Sequence, residues 1–134
     1  MLHKGSCLCQ RISFEIQGEF EDFYLCHCEQ CRKDTGSAHA ANLFSTTALL
    51  KWIRGEGEAV VYNHNGSGHI KSFCPVCGSA LPNLQLDGNL LVVPAGSLDS
   101  DLPNKPTAHI YYSERANWDN ELELEKHYDT LPSE

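Results

Sequence analysis

All seven cysteines of the chain fall in three clusters: Cys7-Leu8-Cys9, Cys26-His27-Cys28-Glu29-Gln30-Cys31 and Cys74-Pro75-Val76-Cys77. No other feature restricts the fold as tightly. Clustering at metal-ligand spacing points to zinc rather than to a disulfide framework. A bridge across one intervening residue is strained, and an odd count leaves one thiol over. A closed structural zinc site takes four protein ligands, whereas a catalytic site takes three and keeps one position open. Seven thiols therefore divide into one closed site from two pairs and one open site from three. Spacing alone leaves the partition open. The first and last pairs can close a site and leave the triplet Cys26, Cys28 and Cys31. Equally, Cys28 and Cys31 with Cys74 and Cys77 make an ordinary zinc ribbon and leave Cys7, Cys9 and Cys26.

The 134 residues are enough for one domain, 1–134, with its own core. Apolar content of 41% and charged content of 21% fit a soluble globular protein. The formal net charge is −8, and seven thiolates outweigh two Zn²⁺, so metal loading makes it more negative. Such a surface argues against non-specific nucleic-acid binding and against an anionic membrane. No apolar run approaches the roughly 20 residues of a membrane span. The chain reaches Cys7 without an apolar signal region, and reduced thiols fit the cytoplasm, which is the expected location.

Short strands dominate the pattern, so the expected class is all-β or mostly β. Arg11 to Gln17 alternates, with Ile12, Phe14 and Ile16 on one face, as in a half-buried strand. Phe20 to Leu25 reads as a second strand leading into the triplet, and the two are expected to pair as a hairpin across Gly18. Cys7 and Cys9, two apart in an extended segment, face the same side. Gly36 is expected to end a short helical turn. Ala38 to Phe44 is a strand pattern. Thr46 to Ile53 is ambiguous between a Thr-capped helix and a strand. Glu58 to His64 and His69 to Phe73 form a hairpin around Asn65-Gly66-Ser67-Gly68. In Cys74-Pro75-Val76-Cys77-Gly78, backbone amides are expected to donate to the first sulfur, and Gly78 to supply the positive φ of a tight knuckle. Ser79 to Gln85, interrupted by Pro82, and Asn89 to Val93 flank an Asp87-Gly88 turn; Pro82 argues for an edge or a bulge. His109 to Tyr112 is a short strand, followed by an acidic stretch from Asn120 to Tyr128.

Several polar residues are candidates for chemistry. Arg32 and Lys33 follow the triplet and are the candidate catalytic cations, placed to stabilise negative charge on sulfur or on a developing alkoxide. His27 lies between two ligands, but neighbouring side chains diverge, so it is not expected on the metal. One of His39, His64, His69 and His109 can serve as a proton shuttle.

Cys7-x-Cys9, then Cys26-His27-Cys28-x-x-Cys31-Arg32-Lys33-x-x-Gly36, then Phe73-Cys74-x-x-Cys77-Gly78, resembles the glutathione-dependent formaldehyde-activating enzyme family, which includes the centromere protein V domain. Ala95-Gly96-Ser97-Leu98-Asp99, His109-Ile110-Tyr111, Trp118 and Asp129-Thr130-Leu131-Pro132 resemble its later motifs. Arg115-Ala116-Asn117-Trp118 stands where members often show Lys-Ala-Pro-Trp. The resemblance implies a zinc-binding β fold shared with the methionine-R-sulfoxide reductases. It implies a structural zinc on Cys7, Cys9, Cys74 and Cys77 and a catalytic zinc on Cys26, Cys28 and Cys31. The implied activity is that of a carbon–sulfur lyase joining or splitting a thiol such as glutathione and a small aldehyde such as formaldehyde. Arg32, Lys33, Lys71, Arg54 and Arg115 are the cations available to receive carboxylates. The competing expectation is a non-catalytic, zinc-stabilised binding or scaffold module.

Overall fold

The computed structural model describes residues 1–132. The alternating stretch forms strand β2 (Ser13–Gln17), which buries Phe14 and Ile16 on one face. Its partners differ from expectation. β1 (Leu2–Ser6) pairs with β2 antiparallel, from Leu2 opposite Gln17 to Ser6 opposite Ser13, and β5 (Leu49–Arg54) covers the other edge. β3 (Asp22–Cys26) joins a different sheet, so it makes no hairpin with β2. β1 is hard to see in the sequence because its inward residues include His3 and Gly5. His3 is nevertheless 1% exposed, packs its ring 4.9 Å from Phe20 and reaches Gly18 O at 3.2 Å.

The ambiguous segment also resolves by local hydrogen bonding. Thr46 spends its amide and hydroxyl on the Glu21 carboxylate, and the Ser45 hydroxyl accepts from the Thr47 and Ala48 amides. That turn feeds directly into β5, and no helix forms there.

The largest sheet runs β11-β3-β4-β10-β9, with β4 at Ala40–Ser45, β9 at Asn83–Gln85, β10 at Leu90–Pro94 and β11 at Ala108–Ile110. A third sheet runs β6-β7-β8, with β6 at Val60–Asn63, β7 at Ile70–Phe73 and β8 at Ala80–Leu81. Pro82 marks the point where one extended segment leaves β7 and joins β10. Proline lacks the N–H a ladder needs, so it fits a strand changing partners.

Phe14, Ile16, Leu43, Leu81, Leu91 and Val93 form the centre of one core under all three sheets. The chain is mostly β, in one compact domain; Ser133 and Glu134, the end of the expected 1–134 domain, lie outside the described residues. The single α-helix among the described residues, α1 (Glu29–Thr35), leaves the end of β3 after two residues. The Cys28 sulfur caps it by accepting from the Cys31 amide at 3.4 Å. Gly36 ends it at φ +64°, donating to Arg32 O at 2.8 Å. Among the described residues no helix is long and apolar enough to cross a membrane.

Candidate metal centres

Cys7 and Cys9 lie in a tight turn, not in the extended segment the spacing suggested. The Cys7 amide donates to Ile12 O, and Gln10 closes on Cys7 O with φ +65°. The turn brings the two sulfurs 3.6 Å apart and lets the Ile12 amide donate to Cys7 Sγ at 3.3 Å. On the opposite side, the Val76 amide donates to Cys74 Sγ at 3.4 Å, and Gly78, at φ +76°, donates to Cys74 O. The structure brings these two turns together. Sulfurs of Cys7, Cys9, Cys74 and Cys77 all lie within 4.8 Å of one another, with Cys9 to Cys74 at 3.8 Å.

A tetrahedral zinc with bonds of about 2.3 Å would hold its sulfurs about 3.8 Å apart. The 3.6 and 3.8 Å spacings match that value, and all four sulfurs lie close enough together to share one ion. The electrostatics fit as well. The Ser79 hydroxyl accepts from the Leu8 amide at 2.9 Å, leaving its proton for Cys77 Sγ at 3.2 Å. That hydroxyl and the Cys9 amide hold the Cys77 thiol down at about 5. The Arg11 amide draws Cys9 down, but desolvation and its three sulfur neighbours prevail and push it up to about 11. Four adjacent thiols cannot all ionise alone; a dication among them removes the conflict.

The other three sulfurs form a second group within 4.8 Å. Cys26 ends β3, Cys28 caps α1 and Cys31 lies in its first turn, so one strand-to-helix junction supplies all three. Cys26 and Cys31 are buried against Ala40, with Ile110 alongside. Burial pushes both thiols up, and their sulfur neighbours raise Cys31 further. Three soft sulfur donors in this arrangement can hold zinc and leave a fourth position.

The triplet opens on a cleft of about 860 Å³. Asp34 organises another part of its lining. Its carboxylate holds His69 Nε2 and Lys71 Nζ, each at 2.8 Å, and its carbonyl accepts from Lys71 at 2.7 Å. Glu29 and Glu114 also line the cleft. A lobe of about 410 Å³ shares part of this lining and adds Lys33 and Tyr62.

The two sequence-predicted cations part company. Lys33 lines the lobe, whereas Arg32 donates through Nε to His27 O at 3.3 Å and does not line the cleft. Arg115 lies over the Tyr112 ring at 4.2 Å. Of the histidines, His64 and His69 line the cleft, while His39 and His109 surround the buried His27. Burial pulls the His27 imidazole below its ordinary value. The missed residue is Asp34. It reads as a turn residue, and nothing local announces that it will hold side chains 35 and 37 positions away.

Among solved structures, the chain is similar to a Rhodobacter sphaeroides protein determined as a structural-genomics target. The match has a TM-score of 0.57 and 22% identity, covering 79% of this chain and 98% of that one, and it supports the fold. No curated protein matches the chain. Residues 2–114 match the family described as glutathione-dependent formaldehyde-activating enzyme. With that match spanning most of its length, and the cysteine clusters gathered as described, the chain belongs to the glutathione-dependent formaldehyde-activating enzyme family.

Proposed function

We propose that this protein is a zinc-dependent carbon–sulfur lyase that joins glutathione, or a similar thiol, to formaldehyde and splits the adduct. The observation that carries this reading is that the three-sulfur group opens on a cleft of about 860 Å³, within the range of about 300–1,000 Å³ typical of small-molecule sites. Zinc on Cys26, Cys28 and Cys31 would supply a stabilised thiolate at its remaining position. Zinc on Cys7, Cys9, Cys74 and Cys77 would act structurally. Seven free thiols fit a reducing compartment, the cytoplasm.

The reaction is balanced without a further reactant. A carbon–sulfur bond forms, the carbonyl π bond breaks, and the thiol proton ends on the former carbonyl oxygen. His69, which lines the same cleft, carries that transfer in this reading. Asp34 accepts from Nε2, which leaves Nδ1 as the ring's basic nitrogen. It can take the thiol proton and return it to the alkoxide. Lys33 and Lys71 receive substrate carboxylates from the lobe. Arg32 acts on the cysteine loop through His27 O rather than on the substrate.

Exchange NMR on mixtures of glutathione and formaldehyde tests the reading. The zinc-loaded protein should speed interconversion of the free reactants and S-(hydroxymethyl)glutathione, and Cys31→Ser should abolish that gain. Equal exchange rates with and without the protein would leave a zinc-stabilised binding module.

A further inference from the structure

His27 separates two cysteines of the triplet, yet its side chain is 1% exposed. Four contacts fix it. Its amide donates to Ile110 O at 3.0 Å, extending the parallel pairing of β3 with β11. Its carbonyl accepts from Arg32 Nε at 3.3 Å. Its Nε2 lies 2.8 Å from His109 Nδ1, and its Nδ1 lies 3.0 Å from Asp119 Oδ2. Asp119 is itself largely buried, with a side chain 14% exposed, and its amide closes a turn on Ala116 O. The Tyr112 ring packs edge-on against His27 at 5.2 Å, with Arg115 across Tyr112.

One proton assignment suits both ring contacts with every imidazole neutral. His109 Nδ1–H points at His27 Nε2, and His27 Nδ1–H faces the Asp119 carboxylate. The Asp119 contact is close but not aligned as a straight hydrogen bond, and neither atom has another partner. Removing either residue therefore strands a buried polar group directly behind the cysteine loop.

We propose that His27 and Asp119 form a latch that sets the positions of Cys26 and Cys28, and that residues 115–119, beyond the family match, belong to the support of the open metal site. This rests on reading the triplet as a metal site and goes beyond that reading. His27 and Asp119 are positioning residues: they touch neither metal nor substrate, and they act by holding a loop that would otherwise swing about its two sulfurs. Partners that orient metal ligands are commonly worth roughly 10–100-fold in metal affinity.

The test uses the full chain and cobalt as the metal probe, because thiolate-to-cobalt absorption reports each cysteine site directly. Cobalt affinity and spectrum are compared for wild type, Asp119→Ala, Asp119→Asn and His27→Gln. The latch predicts weaker triplet binding, roughly 10–100-fold, in Asp119→Ala, with a shifted cobalt spectrum. Asp119→Asn, which keeps an acceptor, should retain much of the affinity, and so should His27→Gln. The four-cysteine site should be unchanged in all. If Asp119→Ala misfolds, Asp119→Asn and His27→Gln decide the matter: the latch predicts a shifted triplet cobalt spectrum in each, and spectra identical to wild type in both would overturn it. Unchanged triplet affinity and spectrum in every folded variant would overturn the latch alone. Failure of the wild-type triplet to take cobalt or zinc would overturn both the latch and the metal reading beneath it.

Discussion

Cys9 Sγ lies 3.8 Å from Cys74 Sγ, although the two stand 65 positions apart in the chain. The contact ties the turn after β1 to the knuckle after β7. Those strands belong to different sheets. An ion at this point would link separate sheets, whereas one on the triplet would close only the short junction from β3 to α1.

The two metal groups should therefore differ in their hold on the fold. Cys77→Ser is expected to cost several kcal/mol, seen as a fall of about 10 °C or more in Tm. Cys28→Ser removes one ligand but keeps an acceptor at the helix cap, and should cost about 1 kcal/mol or less. Calorimetric unfolding of the zinc-loaded variants checks this; equal losses would contradict the division.

Metal binding should depend on pH differently at the two groups. Burial keeps Cys31 and Cys26 above the ordinary thiol value of 9.0, so both hold protons through the neutral range. Metal entry must displace those protons. Triplet affinity should thus rise with pH, roughly tenfold per pH unit for each proton displaced, and keep rising towards 9.0. In the four-cysteine group Cys77, held at about 5, is already ionised at neutral pH, while Cys9, pushed up to about 11, still has a proton to give up, so that group should show the shallower rise. Chelator competition at several pH values measures both dependences, and a flat triplet profile would contradict the assignment.

Gly5 should be essential to the first sheet for a steric reason. A Cβ there would run into the Phe14 ring and stand 2.7 Å from Ser97 O. Phe14 is 1% exposed and is the cross-strand partner of Gly5, so neither can move cheaply. Gly5→Ala should cost about 1–3 kcal/mol, read from urea unfolding. No change in the midpoint would show that the ring relocates freely.

The cysteines were legible because sulfur spacing is a local property: Cys74-x-x-Cys77-Gly78 specifies its own turn, down to the positive φ of Gly78. The same holds for β2, whose alternation is complete within one strand, and for the hairpin of β6 and β7. Pairing partners were less legible. A strand's pattern fixes which face it buries, not which edge it meets, and β1 was hidden as the partner of β2 because a buried His3 stands where an aliphatic residue would have signalled a strand. The cleft was least legible. Asp34 acquires its meaning only when the hairpin carrying His69 and Lys71 folds over the end of α1. Arg32, adjacent to Cys31 in sequence, is turned by the helix towards His27 O.

The central claim is that the three-cysteine group presents an open position to a substrate thiol. Zinc-edge X-ray absorption on the loaded protein, with the four-cysteine site as internal reference, tests it most directly. Without added thiol the average zinc should have fewer than four sulfur neighbours. Adding glutathione should bring in one more sulfur at roughly 2.3 Å, with loss of a proton to the buffer, and Lys71→Ala should raise the glutathione concentration needed. An unchanged sulfur count with glutathione and with a neutral thiol alike would contradict the account and favour a protein whose zinc only stabilises its fold.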